Sequence, residues 1–157
     1  MLGVGLRRPS GPWILGVLAV AIAGVVTAAA LDTVLNASDA QGLIPEEWRP
    51  ERAAQFASNA FVTVLLGPFA EELFYRGTGI AVLSFLGGFG AVAGTALVWS
   101  LAHGILVAIP ALFLFGLALG WLRQRSGSVW PAAAAHSVYN AVGLTTVFYL
   151  NESEPRS

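Results

Sequence analysis

Residues 56–84 read FASNAFVTVLLGPFAEELFYRGTGIAVLS. The run is long and apolar enough to cross a bilayer, yet Glu71, Glu72 and Arg76 stand near its middle. On insertion scales an ionisable side chain at the centre of a membrane helix costs about 2.5 to 3.5 kcal/mol, so such groups persist where they pair, line a cavity or do chemistry. The stretch therefore carries two readings at once: a membrane helix bundle, and a candidate site at its charged centre.

The rest of the chain agrees. Of 157 residues, 56% are apolar and 11% charged, where a soluble domain carries about 25% charged residues. The net charge of -1 gives no basic footprint for nucleic acid, and no arginine block is long enough to serve as a binding arm. The absence of cysteine excludes disulfides and thiolate metal sites. No serine sits in a G-x-S-x-G nucleophile elbow.

Apolar runs divide the chain into about five spans, near 13–34, 56–84, 89–108, 109–123 and 129–149. The expected fold class is an all-α, polytopic transmembrane helical bundle. Three regions follow: 1–54, an amino-terminal transmembrane helix and polar loop; 55–150, the helical core; and 151–157, a short polar tail. The run from Trp13 to Leu31 exceeds the length of a signal-peptide apolar region, so it is read as a retained helix, with signal cleavage near Ala28-Ala29-Ala30 as the alternative. Asn36 to Arg52, with Asp39, Glu46, Glu47, Pro45 and Pro50, is the one substantial polar loop. Arg7 and Arg8 precede the first span and Arg123 and Arg125 follow the fourth, which predicts a multi-pass protein of the cell membrane with a cytoplasmic amino terminus. Gly90-x-x-x-Gly94 and Gly116-x-x-x-Gly120 predict close helix packing.

On a helix Glu72 and Arg76 stand at i, i+4 and can pair, whereas Glu71 is rotated by about 100° and points elsewhere. The pair would hold Glu72 ionised and leave Glu71 in the setting of a general base. Gly67-Pro68, one turn upstream, removes a backbone hydrogen bond and predicts a kink that makes room beside the glutamates. Trp99 and His103 share a face of the third span, and His136 and Asn140 share a face of the fifth. At 1.5 Å per residue, Glu71, His103, His136 and Asn140 lie about 20, 21, 10 and 16 Å from the same membrane surface, so one buried pocket can hold them.

Two chemistries fit that set. A carboxylate and an imidazole can take a proton from water while a histidine and an asparagine donate to a developing oxyanion, as amide hydrolysis requires, with no cofactor. Alternatively Glu71, His103 and His136 could serve as three ligands to a divalent metal such as zinc with an open position, although no H-E-x-x-H spacing is present. The non-catalytic reading is a Glu-Arg pair that locks helices and histidines bonded to carbonyls. Trp99 is assigned to packing and Tyr75 to interfacial anchoring.

EELFYR at 71–76, WSLAH at 99–103 and HSVYN at 136–140 stand in the order and spacing of the CAAX prenyl protease and bacteriocin-processing (CPBP, or Abi) family of intramembrane proteases, which residues 60–147 resemble. The resemblance implies that Glu71 with His103 activates water, that Glu72 with Arg76 orients the site and that His136 with Asn140 stabilises the oxyanion. Tryptophan at 99 replaces the family's more usual phenylalanine, and the chain has fewer spans than the well-studied members, which leaves room for completion by a second copy in a homo-oligomer. The implied function is hydrolysis of a membrane-associated peptide or lipidated protein, prenylated or not, with membrane lipid as the other partner. The competing expectations are a non-enzymatic scaffold or bacteriocin self-immunity protein that retains the motifs, and, last, an ion-coupled transporter, whose inverted repeats are not visible.

Overall fold

The computed structural model describes residues 3–35 and 50–153, which are helical almost throughout and contain no strand. Most of the polar loop and the last four residues of the tail lie outside the described residues. Helix α1 (Ile14–Leu35) is followed by a long helical arm, α2 (residues 53–86), then by α3 (Gly87–Ala102), α4 (Ile109–Ser126) and α5 (Trp130–Ser153). By length and apolarity three stretches can cross a membrane: Ile14–Leu35, Ala53–Ala102 and Leu106–Ser126. The expected count of about five spans is not confirmed.

The 50-residue stretch Ala53–Ala102 is not one straight rod. It ends its first arm in a 3-10 turn, Leu83–Leu86, and reverses at Gly87, whose φ of 76° and ψ of 171° suit only glycine. After the reversal α3 runs back along α2. Methyl groups built on Gly79, Gly90 and Gly94 would meet Thr95, Leu86 and Leu83 at 2.9, 2.8 and 3.0 Å. Gly90 and Gly94 thus close the α2–α3 hairpin, while Gly116 and Gly120 admit α3 to α4: a methyl on Gly120 would stand 2.5 Å from Val92 Cγ1. Sixteen residues suffice for α3 because Gly104, at φ 72°, stops it immediately after His103.

Helix α4 starts with a proline in its first turn, carries Arg123 and Arg125 in its last, and ends at Gly127 in the left-handed conformation. Each feature suits that end of the helix dipole or its backbone geometry. Across the α4–α5 turn lies the amino-terminal segment, fixed by Ser10 N–H to Ser126 O (3.1 Å), Val129 N–H to Gly5 O (3.0 Å), Ser128 Oγ–H to Arg7 O (2.6 Å) and Arg123 to Gly3 O (2.8 Å). The main core runs through Val20, Trp99, Leu112, Phe115, Leu119, Leu122, Ala132 and Ala135, from four of the five helices. Leu15, Phe85, Phe89 and Leu106 are exposed on the outside, the arrangement expected when lipid tails are the solvent.

Arm α2 is irregular where the sequence predicts a proline kink. Two π-helical segments, Val62–Leu66 and Glu72–Gly79, flank an α-helical turn, Gly67–Glu71, with Pro68 in its first turn. Gly67 N–H bonds Val62 O, five residues back. In that register the next donor would be Pro68, which has no N–H. The carbonyl it leaves, Thr63 O, accepts instead from Asn140 Nδ2 on α5 at 2.8 Å. The proline's lost bond is thereby converted into a contact between α2 and α5, reinforced by Phe69 stacking on Trp130 at 5.1 Å.

Candidate active site

The second π-helical segment carries Glu72 and Arg76, and π-helical turns within helices are frequent at functional sites. Arg76 NH1 donates to Glu72 Oε1 at 2.9 Å with both side chains fully buried. The arginine is threaded over Gly116: its NH2 reaches Gly116 O at 3.3 Å, and a methyl on that glycine would lie 3.1 Å from the same nitrogen and 3.0 Å from Ala96 Cβ. His136, buried on α5, brings Nδ1 to the same Glu72 oxygen at 3.1 Å. Because a carboxylate only accepts, Nδ1 carries the proton there and Nε2 faces the remainder of the site. Glu72 Oε2 and Arg76 Nε are buried without a partner among the described residues.

Glu71 is turned about 100° around the helix from Glu72 and takes a different partner. Its Oε2 accepts from Trp99 Nε1 at 2.6 Å. His103 ends α3, exposed, with Nδ1 donating to Trp99 O at 2.8 Å. A carbonyl also only accepts, so in the neutral tautomer that makes this bond the free lone pair is at Nε2, the atom able to take a proton from water. The ring of Trp99 adjoins His103 at 4.6 Å and His136 at 5.4 Å, both edge to face, and the Arg76 guanidinium lies over it at 4.6 Å.

Five of the six candidate residues are thus gathered around one indole: Glu71, Arg76, His103 and His136 touch it directly, and Glu72 joins through Arg76 and His136. The sixth, Asn140, follows His136 by one turn but spends an amide N–H on Thr63 O. Sequence reasoning assigned Trp99 to packing. The available signal was its identity, since a buried tryptophan needs an acceptor for its N–H whereas a phenylalanine needs none. Tyr75 packs against the main core rather than projecting as an anchor, with its ring edge to face with Phe74 at 5.0 Å. Glu71 Oε2 faces Trp99 and His136 Nδ1 faces Glu72, and among the described residues no three His, Asp or Glu side chains form a metal-holding group.

The family model described as Type II CAAX prenyl endopeptidase Rce1-like matches residues 53–142, from the start of α2 through Asn140, more than half of the chain. The chain belongs to this Rce1-like family. It is a family of membrane proteases, and the match encloses every candidate site residue while leaving α1 outside. No curated protein and no solved structure matches the chain significantly.

Proposed function

We propose that this Rce1-like chain is an intramembrane endopeptidase in which Glu71 and His103 activate a water molecule against a peptide bond of a membrane-associated substrate, prenylated CAAX-type peptides among them. The observation that supports the reading is the division of labour between the two adjacent glutamates. Glu72 is consumed by Arg76 and His136, whereas Glu71 keeps Oε1 free of protein hydrogen bonds among the described residues and is only partly buried.

Either Glu71 or His103 Nε2 accepts the proton as water adds to the carbonyl carbon. The oxyanion that forms needs donors, and His136 Nε2 supplies one when the ring is protonated, its added charge balanced by Glu72. The second Nδ2 hydrogen of Asn140 supplies another. Collapse breaks the C–N bond, and the proton first taken from water passes to the departing nitrogen. In this scheme Glu72 and Arg76 position His136 and touch no reacting atom. Placing the start of α1 on the cytoplasmic side, with the other helices crossing as a multi-pass bundle, puts Arg7, Arg8, Arg123 and Arg125 where the positive-inside rule favours them.

The test is cleavage of lipidated and unlipidated fluorogenic peptides by the full chain in nanodiscs, with Glu71→Gln and chelator arms. Glu71→Gln should lower kcat by at least about 100-fold with no loss of thermal stability, and chelator should leave cleavage intact. Undiminished cleavage by Glu71→Gln refutes the mechanism.

A further inference from the structure

The residue that carries no assigned chemistry yet touches four of the six candidate residues is Trp99. We propose that it is a positioning residue for the proposed reaction: its indole N–H fixes Glu71 Oε2 and so leaves Oε1 as the oxygen presented to water. This deepens the endopeptidase reading and rests on it.

Four observations carry the inference. First, Trp99 Nε1 stands 2.6 Å from Glu71 Oε2, and a donor facing an ionised carboxylate makes a stronger bond than one facing a neutral acceptor. Second, indole has a single donor, and Trp99 is 1% exposed, so the N–H has no water to turn to and an unmade bond would be costly. Third, the ring is held on several sides, by Arg76 over its face, by the edge-to-face rings of His103 and His136, and by Phe115 at 6.3 Å. A donor so confined holds the acceptor to one geometry. Fourth, the same residue's carbonyl receives His103 Nδ1. One residue therefore sets both partners of the proposed water activation: its backbone fixes which nitrogen of His103 is free, and its side chain fixes which oxygen of Glu71 is free.

A phenylalanine at this position would keep the carbonyl and an aromatic ring and would delete the donor together with part of the indole's volume. Trp99→Phe should therefore lower kcat by about 10- to 100-fold, the range expected for a misplaced reacting group, with KM changed by less than about two-fold because substrate binding is untouched. A tryptophan that merely packs would show no such split.

A second readout does not depend on activity. In an indole 15N–1H NMR spectrum of the full chain in micelles, the Trp99 Nε1–H resonance, assigned by replacing the other four tryptophans with phenylalanine in turn, should shift in Glu71→Gln while the other indole resonances stay in place. An unmoved Trp99 resonance overturns the proposal whether or not Trp99→Phe folds, and so does a folded Trp99→Phe protein with undiminished kcat. If Glu71→Gln retains full cleavage while the resonance shifts, the contact stands, but water activation by Glu71 fails and with it the proposed role of Trp99.

Discussion

Arg76→Met isolates the energetics of the buried ion pair. Methionine fills much of the arginine stem's volume, so the packing around Gly116 and Trp99 largely survives. What is lost is the 2.9 Å bond to Glu72 Oε1, with the smaller contribution of the guanidinium over the Trp99 ring. The carboxylate is fully buried, Oε2 already has no partner among the described residues, and after the substitution His136 alone remains. Breaking a buried pair from one side costs about 3 to 5 kcal/mol, because the surviving charge is left uncompensated. The 3.3 Å contact to Gly116 O is long and adds little. Against a total stability of about 5 to 15 kcal/mol, a loss of this size should be plain in reversible unfolding by SDS titration in mixed micelles. The double variant Arg76→Met/Glu72→Gln removes the stranded charge yet keeps an acceptor for His136, and it should recover at least about 2 kcal/mol of the loss. A single variant within about 1 kcal/mol of the parent, or a double variant no more stable than the single, would refute the account of a desolvated, mutually compensating pair.

Two further outcomes follow from neighbouring geometry. Asn140→Leu should destabilise by about 1 kcal/mol by stranding Thr63 O, and the cost should shrink in a Pro68→Ala background, where a restored N–H can serve that carbonyl; a double-mutant cycle with no coupling would show that the proline and the asparagine act separately. Gly116→Ala forces a methyl against Ala96 Cβ and the Arg76 guanidinium; a loss of about 1 to 3 kcal/mol, accompanied by a fall in peptide cleavage, is expected, and a thermal melt that does not move would count against the threading of Arg76 over α4.

Local features of this chain were readable in advance, and contacts between distant residues were not. Glu72 and Arg76 are four residues apart, so helix geometry alone predicts their bond. The same rule places His103 over Trp99 and Asn140 one turn beyond His136. The separate facing of Glu71 follows from its position too, but its partner does not: Trp99 is 28 residues away on α3, and no spacing rule says which face of α3 meets α2 after the reversal at Gly87. Proline chemistry predicted the missing backbone bond at Pro68. It could not predict that the helix would answer with π-helical turns, or that an asparagine on another helix would take the orphaned carbonyl. The count of about five spans is not confirmed: length and apolarity give the single stretch Ala53–Ala102 where the sequence shows two apolar runs, because a glycine turn joins them with little break in the helix.

The π-helical segments give α2 a role as a phase shifter. Its early part is docked on α5 through Thr63 and Phe69, and its later part on α3 through Gly79 and Leu83. An uninterrupted α-helix between those two anchorages would accumulate a different twist, so both could not be satisfied while Glu71 faced Trp99 and Glu72 faced His136. The wider turns absorb the angular mismatch in the segment that holds the carboxylates. Deleting one residue between 72 and 79 could therefore yield a more regular helix that folds and inserts yet presents its acids to the wrong neighbours, and residue count along this arm is as much a part of the site as the identity of its side chains.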